Sequence, residues 1–142
     1  MKLTNNFSTQ EFVPQHIYEI YGDKSIWFID YDLVKFAQAL RDFVMKPITI
    51  NNWASGGSYQ YRGFRPSDCK EGAALSQHRF GRAIDLSVDG MFIAEVAEIV
   101  ISRREVWWPQ ITTMENVQYT PTWLHVDKRH TGQKELLIVD PV

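Results

Sequence analysis

A chain of 142 residues with 44% hydrophobic content has the size and composition of one self-sufficient domain spanning 1–142. Fifteen basic against 17 acidic residues give a net charge of −2, which leaves no cationic excess to neutralise a phosphate backbone and excludes nucleic acid as the main partner. The single cysteine, Cys69, has no partner for an internal disulfide, so any covalent-strength staple would have to be a metal.

The first residues, Met1 to Phe7, carry one Lys and no apolar run behind it, and no stretch reaches the length of a membrane span. The expectation is a product made in the cytoplasm without a signal peptide and without membrane insertion. Five Trp is a high number for this length, and the plain expectation for each ring is a place in the core.

In chain order, Ser8-Thr9-Gln10-Glu11 fits a capping box and predicts a short helix, with Pro14 in or just after its first turn. From Asp32 to about Lys46, Leu33, Phe36, Ala37, Leu40, Phe43 and Val44 recur at spacings of three and four, the stripe of an amphipathic helix that Pro47 ends. Residues 47–53 alternate as a strand entering a Gly- and Ser-containing loop. Residues 59–77 have no sustained period and read as a long irregular segment, a type of loop that is often functional.

Arg82 to Val88 sets Ala83, Asp85 and Ser87 against Ile84, Leu86 and Val88, so a strand here turns Asp85 away from the core. Asp89 is the expected cap of a helix carrying Ile93, Ala94, Val96, Ala97 and Val100 and ending near Arg103 and Arg104. Short strands are expected over 116–119, 122–127 and 135–139. Helices preceding strands that are close in sequence define an α+β class with a small antiparallel sheet and helices packed on it.

A catalytic zinc site needs about three imidazole or carboxylate donors and one open position. Of the four histidines, His16 lies in the N-terminal region and His130 beside Lys128 and Arg129, whereas His78 and His125 adjoin strand-like segments. His78 precedes Asp85 through the turn at Gly81, and a strand of period two puts Trp123, His125 and Asp127 on one face.

Ser76-Gln77-His78-Arg79-Phe80-Gly81-Arg82-Ala83-Ile84-Asp85 resembles the Ser-x-His-x-x-Gly-x-Ala-x-Asp signature of the zinc peptidases that include D-alanyl-D-alanine carboxypeptidases and phage L-alanyl-D-glutamate endolysins. Trp123-Leu124-His125-Val126-Asp127 is similar to a segment downstream in one branch of that family, and Gly63-Phe64-Arg65-Pro66 resembles the one preceding the signature. The three blocks occur in family order and span about half the chain. The resemblance implies a hedgehog/D-Ala-D-Ala peptidase-like fold, Zn2+ held by His78, Asp85 and His125, and Arg65 facing a substrate carboxylate, with Arg62 as a nearby competitor. It implies hydrolysis of an amide in peptidoglycan stem peptides, by a phage-type endolysin or a carboxypeptidase acting at the bacterial cell wall once released or virion-borne.

Where many members carry a proton-handling Glu, Asp or second His just before the last ligand, this chain has Thr122 and Trp123. The general base is then sought at Asp127 first and Glu115 second. A plainer reading pairs Asp127 with Lys128, Arg129 or Arg82, and makes Ser76 a polar group orienting the His78 loop rather than a substrate contact. Two other functions stay open: a zinc-containing module that recognises wall peptides without cutting them, as the related hedgehog signalling domain serves recognition, and a structural zinc staple in a virion component. Structural zinc is usually closed by four protein ligands, and only three candidates are visible here.

Overall fold

The computed structural model describes residues 1–141. After a 3-10 turn at Thr9–Glu11 come helix α1 (Gln15–Tyr21), a 3-10 segment at Gly22–Phe28 and helix α2 (Tyr31–Val44). Strand β1 (Ile48–Thr49), 3-10 turns at Trp53–Ser55 and Gln77–Phe80, and strand β2 (Ala83–Val88) follow. Helix α3 (Ile93–Trp107) and strands β3 (Thr113–Glu115), β4 (Leu124–Asp127) and β5 (Leu137–Val139) complete the chain.

The five strands form one sheet in the order β1-β2-β4-β3-β5. The class is α+β, but the sheet is mixed where an antiparallel one was expected, because β3 and β5 pair in parallel. The cause is topological: β3 lies between β4 and β5, and β5 runs back against the direction of β4, which is the direction of β3.

Helix α2 forms where its stripe predicts. The Asp30 side chain accepts from the Asp32 backbone N–H at 3.0 Å as the N-cap, and Met45 ends the helix in the left-handed region at φ 55°. Leu33, Val34, Phe36, Ala37 and Leu40 are buried, whereas Phe43, expected on the same stripe, is exposed beneath the Arg103 guanidinium. Phe36 meets the fully buried Trp108 edge to face at 5.4 Å, in the cluster that also takes Ile84, Leu86, Val96, Val100, Leu124 and Val126. Truncating Phe36 to Ala is expected to cost about 3–5 kcal/mol, read as a lowered urea midpoint at unchanged slope.

Several boundaries depart from expectation for physical reasons. Glu11 does reach back to the Ser8 N–H at 2.7 Å, but the turn stops at once because Pro14, which has no N–H to continue it, becomes the N-cap position of α1. Residues 48–49 alone keep strand pairing in the region expected as a strand over 47–53. Asp89 does not cap α3; its N–H donates to the Pro47 carbonyl, and the helix starts after Phe92, whose N–H is met by the Glu95 carboxylate at 3.2 Å. α3 also runs past Arg103 and Arg104 to Trp107, with Arg104 bonding sideways to the Ile111 and Lys134 carbonyls. The strand expected over 116–119 lies earlier, as β3, because the Asn116 side chain accepts from the Gln118 N–H and makes a turn. Among the Trp residues only Trp108 is a core ring; Trp27 and Trp107 are 79% and 61% exposed.

No helix is long and apolar enough to cross a membrane among the described residues.

Candidate metal centre

The alternation along β2 and β4 builds the site. Ile84, Leu86 and Val88 face the core, so Asp85 stands on the opposite face, and the antiparallel register places it directly across from His125. The β3–β4 register pairs Thr113 with Asp127 and Met114 with Val126, which carries Glu115 to the level of His125. One row across three strands thus holds a carboxylate, an imidazole and a carboxylate.

The third block arrives from the irregular segment, which has no helix or strand between residues 59 and 76. It is pinned by backbone bonds: Asp85 N–H donates to Arg62 O at 2.7 Å, Arg65 N–H to His78 O at 3.0 Å and Phe64 N–H to Phe12 O at 2.8 Å. Gly63 is required because an added Cβ would strike the Phe12 carbonyl. Gly81, at φ 68°, ends the His78 turn against the Phe28 carbonyl, where a side chain would collide.

His78, Asp85 and His125 are buried together, with donor atoms all within 4.8 Å of one another, a cluster able to hold a metal ion. Asp85 Oδ1 lies 3.2 Å from His78 Nε2 and 2.9 Å from His125 Nδ1. The outward nitrogens decide what the inward ones offer. His78 Nδ1 lies 2.8 Å from the Gly63 carbonyl, and His125 Nε2 lies 2.8 Å from Asp127 Oδ2; both partners only accept, so both nitrogens carry hydrogen. In the neutral rings His78 Nε2 and His125 Nδ1 are then lone pairs aimed at a carboxylate oxygen. That arrangement is repulsive unless a cation or an extra proton lies between them.

A divalent cation fits this donor set. Bonds of about 2.0–2.1 Å at a tetrahedral angle separate donors by about 3.3 Å, close to the two observed separations. Two imidazoles and one carboxylate are the ligand types of zinc with an open position. Glu115 Oε1, 3.1 Å from His125 Nδ1, stands outside the set of three.

The electrostatics of the cluster favour positive charge at His125. Burial pushes His125 down, but the hydrogen bonds to Asp127 and Asp85 and the charges of Asp85 and Glu115 overcome it and raise its pKa to about 9. Burial pushes Asp85 up, and the two imidazoles outweigh that and hold it well below the usual carboxylate range. Because His125 titrates higher folded than at its ordinary 6.5, its contribution to stability is complete below that pH and lost as pH rises through about 9. The melting temperature in chelator is therefore expected to fall from pH 6.5 to 9, and any stabilisation added by a divalent cation to grow over the same interval as the cation displaces the proton.

The remaining candidates divide. Arg65 donates from Nη2 to Asp85 Oδ2 at 3.3 Å and from Nε to the Tyr61 carbonyl at 2.7 Å, so it is fastened to the cluster itself. Arg62 donates to Ser87 Oγ at 2.7 Å and lies 3.8 Å above the Tyr59 ring. Both arginines line a cleft of about 290 Å³ that reaches Asp85, with Tyr59, Tyr61, Glu71 and Trp123. Ser76 does not line it; its backbone starts the turn that carries His78, accepting from the Arg79 N–H. Asp127 is fully buried, and its oxygens are taken by His125 Nε2 and by Arg129, the ion pair that the plainer reading allowed. It stands on the far side of the ring from the three donors, whereas Glu115 stands on the near side. His16 sits 3.8 Å from Asp68 and His130 is exposed; neither joins the cluster. Sequence reasoning overlooked the Gly63 carbonyl, although the Gly63-Phe64-Arg65 block was its signal.

Comparisons with protein-family models, with curated proteins and with solved structures give no match.

Proposed function

We propose that this chain is a zinc-dependent peptidase that hydrolyses an amide bond in peptidoglycan stem peptides, of the D-alanyl-D-alanine carboxypeptidase and phage endolysin kind that its motifs resemble. The observation that carries the reading is the pair of imidazoles whose outer nitrogens are committed and whose inner lone pairs converge on one oxygen of Asp85. His78 Nε2, Asp85 Oδ1 and His125 Nδ1 would hold the zinc, which supplies Lewis acidity toward the scissile carbonyl.

The protein's own groups account for the rest. Glu115, beside His125 Nδ1 and 18% exposed at its side chain, is placed to accept a proton from an attacking water and return it to the leaving amine. Asp127, closed in by His125 and Arg129, orients the imidazole instead of moving protons, which reverses the order in which the sequence ranks the two carboxylates. The cleft offers guanidinium groups at Arg62 and Arg65 for a peptide carboxylate and rings at Tyr59, Tyr61 and Trp123 for the peptide's apolar parts.

Stem peptides incubated with the purified chain are the direct test. Mass analysis is expected to show two fragments whose masses sum to substrate plus water, and none with chelator. Intact peptides after hours at saturating zinc, with the peptides retained on the protein, would favour the recognition module; cleavage that persists in chelator would end the zinc reading.

A further inference from the structure

In the reading above Arg129 only closes in Asp127, yet four hydrogen bonds join the two residues. Its backbone N–H donates to Asp127 Oδ1 at 3.0 Å, Nε to Oδ1 at 3.0 Å and to Oδ2 at 3.1 Å, and Nη2 to Oδ2 at 2.5 Å. The carboxylate it grips has no exposed surface and makes one further side-chain contact, to His125 Nε2 at 2.8 Å. The Arg129 side chain is one-third exposed, and it lines a separate cavity of about 440 Å³ with Thr112, Lys128, His130 and Gln133.

Without donors to its oxygens a buried Asp127 side chain would be free to turn away from the ring. Both Asp127 oxygens receive N–H donors from Arg129, so toward His125 the carboxylate acts as an acceptor. With Arg129 satisfying one oxygen and sharing the other, the acceptor left at Oδ2 faces the imidazole in a single orientation. That bond fixes the hydrogen on Nε2 and thereby the lone pair on Nδ1, the atom facing Asp85.

We propose that Arg129 is a positioning residue for the metal: by clamping Asp127 it sets which nitrogen of His125 is free to bind the cation. The inference rests on the metal reading and goes beyond it, since Arg129 touches neither the three donors nor the cleft. Loss of an outer partner of a metal-bound His costs about 10–100-fold in metal affinity, and that is the size expected here.

The test measures zinc affinity of the full chain by competition with a chromophoric chelator for the wild type, Arg129→Gln and Arg129→Lys. Arg129→Gln is expected to bind about 10–100-fold more weakly, and Arg129→Lys to fall in between, because one ammonium restores the charge without the two-nitrogen grip. The histidine nitrogen-15 spectrum of the zinc-loaded protein adds a readout that general loosening of the fold would not produce. His125 is expected to carry its hydrogen on Nε2 in the wild type and to mix both ring forms in Arg129→Gln. Equal affinity and equal spectra in wild type and Arg129→Gln overturn the inference while leaving the metal reading standing. Absence of zinc binding in the wild type overturns both. Should Arg129→Gln fail to fold, Arg129→Lys decides: affinity equal to the wild type counts against the clamp, and a loss supports it.

Discussion

Replacing Glu115 by Gln is expected to leave zinc bound at one per chain and to lower the rate of stem-peptide hydrolysis by about 10²–10⁴-fold, the usual contribution of a positioned general base. The expectation follows from placement. Glu115 reaches the row of Asp85 and His125 through the β3–β4 register and lies against His125 Nδ1, yet outside the three donors. An amide keeps its volume and one hydrogen-bond acceptor but cannot take a proton, so kcat should fall while KM changes little. Asp127→Asn should behave differently: its first effect is on metal affinity, because its contact is to the far nitrogen of His125. A Glu115→Gln enzyme with wild-type kcat would return the search for the base to other groups.

The second large effect is expected at Asp85. Its Oδ1 lies against both imidazoles and its Oδ2 accepts from Arg65, so one buried carboxylate ties together side chains from three segments. Asp85→Asn removes one of the three proposed zinc donors and leaves the Arg65 side chain, 13% exposed, without its counter-charge. Zinc binding is expected to fall by more than the roughly 10–100-fold that an outer partner costs. Breaking a buried ion pair on one side also costs about 3–5 kcal/mol, so chelator-treated Asp85→Asn should unfold at distinctly lower urea than chelator-treated wild type. The fall of melting temperature between pH 6.5 and 9 should also flatten, since Asp85 is among the groups that raise His125. Wild-type stability and zinc affinity in this variant would mean that Asp85 is an ordinary surface-facing strand residue.

What was legible in the sequence is what repeats with a fixed period or a fixed spacing. The two-residue alternation of 82–88 and 123–127 announced β2 and β4 and put Asp85 and His125 off the core face, and the stripe of 33–40 announced α2. Register was not legible: that Asp85 meets His125 depends on pairing between segments 40 residues apart. For the same reason the sequence could place Asp127 on the His125 face without telling which nitrogen it reaches, and Glu115, outside any period, ranked second. Helix α1 was missed because Gln15–Tyr21 buries only Ile17 and so presents no stripe. Strand β5 forms within the expected 135–139, but its parallel pairing was missed because nothing in Leu137–Val139 encodes the direction of its neighbour.

Metal analysis after equilibrium dialysis, on the wild type and on single alanine variants at His78, His125, His16 and His130, addresses the central claim most directly. One zinc per chain is predicted for the wild type and for the His16 and His130 variants, with loss in the His78 and His125 variants. A wild type that emerges without metal, or a zinc that stays when His78 or His125 is gone, would contradict it.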